Sequence, residues 1–152
     1  MNTSKSISVL VLSAFFLIVG TVPAQAQVFP EFLGDFCWSF TTSEDSGFMR
    51  LGVTDMSGPD GLHFQLTGVI TTTSNSSYTQ STINGNAEDL FDGIHVTLTQ
   101  SRFENGGITQ SVMHAVLDSN LNGPFREEVI FDDSVQSPVT WFRSGWLVAD
   151  CL

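Results

Sequence analysis

The sequence predicts an all-β domain: an eight-stranded antiparallel up-and-down barrel closed by its first and last strands. Three observations carry that prediction. Apolar residues recur with period two, as half-buried antiparallel strands require. Clusters of Gly, Pro, Asn, Asp and Ser interrupt the pattern at a spacing of about 12 to 17 residues, which is a strand plus a turn. A cysteine also lies near each end of the patterned region, at Cys37 and Cys151. No stretch sustains a helical period.

Ahead of the strands, Lys5 precedes an apolar run from Ile7 to Gly20, and Ala24-Gln25-Ala26 supplies a small-x-small cleavage pattern. As a helix that run would extend roughly 21 Å, short of the roughly 30 Å hydrocarbon core. Residues 1–26 therefore read as a secretory signal peptide and residues 27–152 as a single β-barrel domain, secreted or periplasmic, with no membrane span in the mature chain. Cleavage removes the only lysine and leaves 126 residues with four Arg against sixteen acids, a net charge of −12. So acidic a surface excludes nucleic acid as a partner. The low charged fraction and the eleven phenylalanines of the mature chain indicate a buried core rather than a disordered acidic tail.

The first strand is Phe36 to Thr42, with Phe36, Trp38 and Phe40 on one face. The second runs from Phe48 to Met56 and stops at Ser57-Gly58-Pro59-Asp60-Gly61, where Pro fixes φ and Gly admits positive φ. In the third, Leu62, Phe64, Leu66, Gly68 and Ile70 alternate with His63, Gln65, Thr67, Val69 and Thr71. The fourth, Tyr78 to about Ala87, is mostly polar and is predicted from spacing more than from pattern. The fifth, Ile94 to Phe103, sets Ile94, Val96 and Leu98 against His95, Thr97 and Thr99, and Glu104-Asn105-Gly106-Gly107 turns it into the sixth, Ile108 to Leu117. The seventh is Phe125 to Phe131 and the eighth Val139 to Ala149.

A meander of eight strands removes both exposed edges by closing on itself. Closure pairs the first strand with the last, and an oxidising compartment favours a Cys37–Cys151 disulfide across that seam. If those cysteines face each other directly, paired residue numbers sum to 188. Phe142, Trp146 and Val148 then join Phe36, Trp38 and Phe40 inside, while Trp141 and Arg143 lie outside, with Arg143 in an exposed ion pair with Asp45. A two-sheet β-sandwich is the alternative fold, although the immunoglobulin Cys–Trp–Cys arrangement is not present. A membrane-spanning barrel conflicts with the Thr, Ser, Gln and His on one face of most strands.

With Trp38 in the first of eight meander strands and Arg143 in the last, the chain resembles the calycin superfamily of lipocalins and avidins at the level of architecture. Those families carry Gly-x-Trp at the first strand and a basic residue of the last strand packed over that Trp. Here the corresponding stretch is Gly34-Asp35-Phe36-Cys37-Trp38, two residues longer. Placing Arg143 over Trp38 requires a pairing sum of 181, against the 188 that the disulfide favours. None of the avidin biotin contacts can be placed by motif.

No short motif carries chemistry. His63, His95 and His114 are widely spaced and belong to no metal-ligand pattern. His114 shares parity with Ile108, Val112 and Val116, which would turn it inward, but Met113, Ala115 and Leu117 compete for the same side. The adjacent acid pairs, such as Glu127-Glu128, point to opposite faces and make poor catalytic dyads. Glu88 to Gly93 lacks the alternating acids of a calcium loop and reads as a solvated turn. Asn75-Ser76-Ser77 is a glycosylation acceptor in a host that glycosylates. No cofactor or metal is implied.

The aromatic residues remain. Phe36, Trp38, Phe40, Phe64, Phe142 and Trp146 either fill the barrel or line a cavity for a small hydrophobic ligand. The function predicted first is a secreted, non-catalytic binding module for such a ligand. The alternatives are a structural or surface-interaction protein with a filled barrel and acidic loops, and a small enzyme using His114.

Overall fold

The computed structural model describes residues 30–57, 61–74, 77–104, 106–133 and 135–150. The proposed leader, the acceptor Asn75 and Cys151 lie outside the described residues. Eight strands form: β1 (Glu31–Thr42), β2 (Ser46–Asp55), β3 (His63–Ser74), β4 (Ser77–Leu90), β5 (Gly93–Glu104), β6 (Gly107–Leu117), β7 (Gly123–Asp132) and β8 (Val139–Ala149). Each pairs antiparallel with the next, and β8 pairs with β1 to close the barrel. Among the described residues there is no helix, and so none long and apolar enough to cross a membrane.

The strands form where the alternation is. β6 is the plainest case, its residues buried and exposed in strict turn from Gly107 to Leu117. Even the polar β4 follows the rule, burying Ile83 and Ala87 while Gln80, Thr82, Asn84 and Asn86 face water. The tight β4–β5 hairpin turns through Phe91 and Asp92 onto Gly93, whose φ of 137° is open to glycine and strained for other residues. β1 begins five residues earlier than its pattern suggests. That extension, which includes a bulge between Phe32 and Gly34, pairs only with β2.

The closing register corrects the sequence-based expectation by one residue. Trp38 faces Ala149, Phe40 faces Leu147 and Thr42 faces Gly145, so paired numbers sum to 187 rather than 188. A slip of one residue exchanges the faces of a whole strand. Leu147 is fully buried and Arg143 points inward, while Phe142 and Trp146, expected inside, are 56% and 52% exposed on the outer wall together with Val148. Packing explains the choice. Gly145 lies against the edge of the Phe125 ring and the Thr41 carbonyl, where a side chain would collide with both. Phe125 already fills that part of the interior, packed edge-on to Phe40 at a centroid distance of 6.0 Å. No space remains there for the rings of β8.

The interior is graded from one end of the barrel to the other. At the end where β1 begins and β8 finishes, the termini end, inward residues are apolar: Phe36, Trp38, Leu51, Val53, Phe64, Leu66, Ile94, Val96 and Leu117. A middle layer holds Phe40, Ile70, Ile83, Leu98, Met113 and Phe125. Toward the opposite, far end, the inward positions become mostly polar, with Thr72, Thr79, Ser81, Gln100, Arg102, Thr109, Ser111, Glu127 and Arg143 beside the apolar Val129 and Trp141.

Candidate functional site

The termini-end half holds a half-open cavity of about 170 Å³ whose lining side chains are all apolar. Seven of the eight strands contribute to it, and Leu121 of the β6–β7 loop completes the wall. Ala87 is the smallest lining side chain. Of the six residues singled out for ligand binding, the structure brings Phe36, Trp38 and Phe64 together around this space. The Phe36 and Trp38 rings stack at 6.3 Å. Phe40 is buried in the middle layer below and does not line the cavity. Phe142 and Trp146 are on the outside, for the register reason given above.

Leu121 is a site residue that sequence reading missed. It holds φ at 62°, a left-handed conformation that costs a non-glycine residue about 1 to 3 kcal/mol and persists only where its surroundings impose it. They do. The Leu121 amide donates to the Asp118 carbonyl at 2.9 Å, and Asp118 Oδ1 accepts from the amides of Asn120 and Asn122 at 2.8 and 3.0 Å. Asn122 Oδ1 accepts from the Ala149 amide at 2.8 Å, which ties the loop to β8. The Leu121 carbonyl in turn accepts the indole N–H of Trp38 at 2.8 Å. The single polar atom on that ring is thereby turned away from the cavity onto the loop. The only sequence signal was the Asp118-Ser119-Asn120-Leu121-Asn122-Gly123 turn composition, which does not show that a leucine within it folds back over the mouth.

The far-end half is built on a buried charge network. Glu127, 1% exposed, accepts from Arg143 Nε at 2.6 Å and from Gln100 Nε2 at 3.1 Å. Gln100 Oε1 accepts from the Ser81 hydroxyl at 2.7 Å. Arg143 Nη1 donates to Asp45 Oδ2 at 2.7 Å, with both side chains 13% exposed, so this pair is part-buried inside the barrel end rather than on the outer surface where the 188 register placed it. Burial alone would lower the Arg143 pKa, but the hydrogen bonds and charges of Glu127 and Asp45 outweigh it and hold the guanidinium above its ordinary value. Such a group contributes stability below its unfolded pKa that is lost as the pH rises through the folded value, so Arg143 is charged at neutral pH. Arg102 Nη1 donates to Thr79 Oγ1 at 3.1 Å at the same end. Above this network lies a polar cavity of about 330 Å³, with Trp141 on its rim.

The histidines stay on the outer wall and do not converge on an interior site. His114 faces outward, its Nδ1 3.1 Å from the Thr97 hydroxyl, in register with Arg126. Its neighbours on the inner side, Met113, Ala115 and Leu117, take the core positions instead. His63 Nδ1 lies 3.6 Å from Glu88 Oε1, and His95 Nε2 lies 3.0 Å from Asp92 Oδ1. Among the described residues no cluster of three His, Cys, Asp or Glu is arranged to hold a metal ion. Arg143 does not pack over Trp38, because its partners Glu127 and Asp45 hold it in the opposite half of the barrel. No protein-family model, curated protein or solved structure matches the chain.

Proposed function

We propose that the chain is a secreted or periplasmic, non-catalytic β-barrel module that binds a small hydrophobic molecule in the termini-end half of its interior. The observation that supports this reading is the cavity of about 170 Å³ with an entirely apolar lining. Apolar cavities of about 150 Å³ stay dry and take up molecules such as benzene, because water entering one would find no hydrogen-bond partners. The driving force is removal of ligand surface from water, at about 25 cal/mol per Å². With no polar group to orient the ligand, selection is by size and shape, and any polar substituent must point out through the mouth beside Leu121. The volume limits the ligand to roughly one ring or a short branched chain, below the usual range of about 300 to 1,000 Å³ for larger ligands.

The compartment and the disulfide belong to the same proposal. The leader pattern supports export, and the Asp150 amide donates to the Cys37 carbonyl at 3.1 Å, which brings the residue next to Cys151 alongside Cys37. A calycin-like relationship is supported by architecture alone: eight meander strands and a buried Trp in the first. One observation favours a second reading, a surface-interaction protein. Phe142, Trp146 and Val148 leave an apolar stripe on the outer wall of β8.

Native mass spectrometry of protein purified from its own host, followed by titration with toluene monitored through amide shifts, tests the first reading. The expected result is a co-purifying apolar molecule, or toluene shifts centred on Leu66, Val96 and Leu147. In Ala87→Phe, which fills the cavity, those shifts should disappear while the spectrum stays folded. Empty protein that is indifferent to toluene would sink the ligand-binding reading and leave the surface-interaction one.

A further inference from the structure

We propose that the far-end cavity is a second, separate ligand site, for a neutral polyhydroxylated molecule the size of one sugar ring. It lies at the other end of the barrel from the apolar cavity. Neither lining includes Phe40, Ile70, Leu98 or Phe125, so the middle layer divides the interior into two cups.

A closed barrel whose end has no task gains little from buried charge. It fills the interior with apolar side chains, because a buried ion pair is often no more stable than the hydrophobic residues that could replace it. Here Glu127, Gln100 and Arg143 take up interior volume, and a cavity of about 330 Å³ is left above them, larger than the apolar one. That volume is at the small end of ligand pockets and suits one ring rather than a chain.

The lining carries two carboxylates, Glu44 and Asp45, against two guanidiniums, Arg102 and Arg143. An anion meets the acids and a chain with a net charge of −11, whereas a cation meets Arg102 and finds Asp45 already bonded to Arg143. A neutral molecule meets neither penalty. Between these charges stand the hydroxyls of Thr72, Ser74, Thr79 and Thr109, each able to donate and to accept, which is the chemistry that a set of ligand hydroxyls needs.

Trp141 gives the cup an aromatic wall. It belongs to the inward-facing set of β8 yet stays 40% exposed at the rim, where its indole offers a flat apolar surface beside hydroxyl and charged groups. A sugar ring has one face of C–H groups and an edge of hydroxyls, and the cup presents a partner for each.

The test is saturation-transfer NMR on the full chain with D-glucose, D-galactose, D-mannose and N-acetyl-D-glucosamine, and with inorganic phosphate as the charged control. At least one sugar should bind and phosphate should not. Trp141→Ala should weaken sugar binding by about tenfold or more, equivalent to about 1.4 kcal/mol, and Trp141→Phe should restore most of it. The amide spectrum of each variant reports that it is folded. Ala87→Phe, in the other cup, should leave sugar binding unchanged, so this proposal and the hydrophobic-ligand reading stand or fall separately. Failure of all four sugars to bind, binding by phosphate in their place, or sugar binding that survives Trp141→Ala at full strength would overturn the proposal.

Discussion

Trp38 shows how much one side chain settles in this barrel. Its ring is 5% exposed and forms part of the apolar cavity wall, while its N–H is spent on the carbonyl of Leu121, the residue held at positive φ over the mouth. The contact therefore joins a core position on β1 to the loop that bounds the ligand space. Trp38→Phe keeps most of the apolar packing but removes the donor. The Leu121 carbonyl is only part-buried, so water can replace some of what is lost, and the expected destabilisation is about 1 to 2 kcal/mol by urea denaturation. Amide exchange at Asn120 to Asn122 should accelerate more than exchange in β3 or β5, because the loop loses one of the contacts that fix it. Uniform acceleration across the barrel would mean that the indole bond has no special part in holding the loop. In the sequence, Trp38 was legible as an inward aromatic of the first strand. Its partner was not, because a loop carbonyl 83 residues away leaves no mark in a periodic pattern.

At the level of the strand, β8 shows both the reach and the limit of reading periodicity. Strands β1, β3 and β5 have faces of clearly different polarity, and their inward sets follow directly from alternation. β8 carries Trp141, Phe142, Trp146, Leu147 and Val148, large apolar residues on both faces, so alternation alone cannot choose between them. Setting the two cysteines directly opposite chose the wrong parity by one residue. What decides it is Gly145, the small residue that lets Phe125 and the Thr41 carbonyl approach. The same ambiguity affected His114, since β6 exposes Ile108, Val112 and Val116 on the face opposite Met113 and Ala115. The register makes a direct prediction. Gly145→Ala places a methyl group against a backbone oxygen and an aromatic edge, and should cost about 1 to 3 kcal/mol in thermal or urea unfolding. Ser144→Ala, on the exposed face one residue earlier, should stay within about 0.5 kcal/mol. The reverse order would restore the sum of 188 and return Phe142 and Trp146 to the interior.

Across the whole molecule, the barrel is divided along its axis, and this division was present in the sequence but hidden by the way alternation is read. Alternation assigns a residue to the inside or the outside and ignores how far along the barrel it lies. Once the eight strands are aligned, the inward sets change in parallel: Phe64, Leu66 and Ile70 lead to Thr72 on β3, and Ile94, Val96 and Leu98 lead to Gln100 and Arg102 on β5. The 188 register places Arg143 outside, and the adjacency of Glu127 and Glu128 puts one of the two inward without saying which. Burial of Arg143 and Glu127 is tolerated here because each has the other, with Gln100 and Asp45 completing the network. If the polar half is kept for binding rather than for stability, the two should separate on mutation. Arg143→Met alone leaves the Glu127 carboxylate, 1% exposed, without its cation, and should destabilise by about 3 to 5 kcal/mol. Adding Glu127→Leu removes the stranded charge, and Asp45, close to the β1–β2 turn, can turn toward water. The double variant should recover most of that loss, to within about 1 to 3 kcal/mol of the parent, the remainder being the buried Gln100 amide left without its Glu127 acceptor. The cycle is read by urea denaturation of parent, both single variants and the double. A double variant as unstable as the sum of the singles would show that the network holds the barrel together in its own right, and that its polarity has a structural cause.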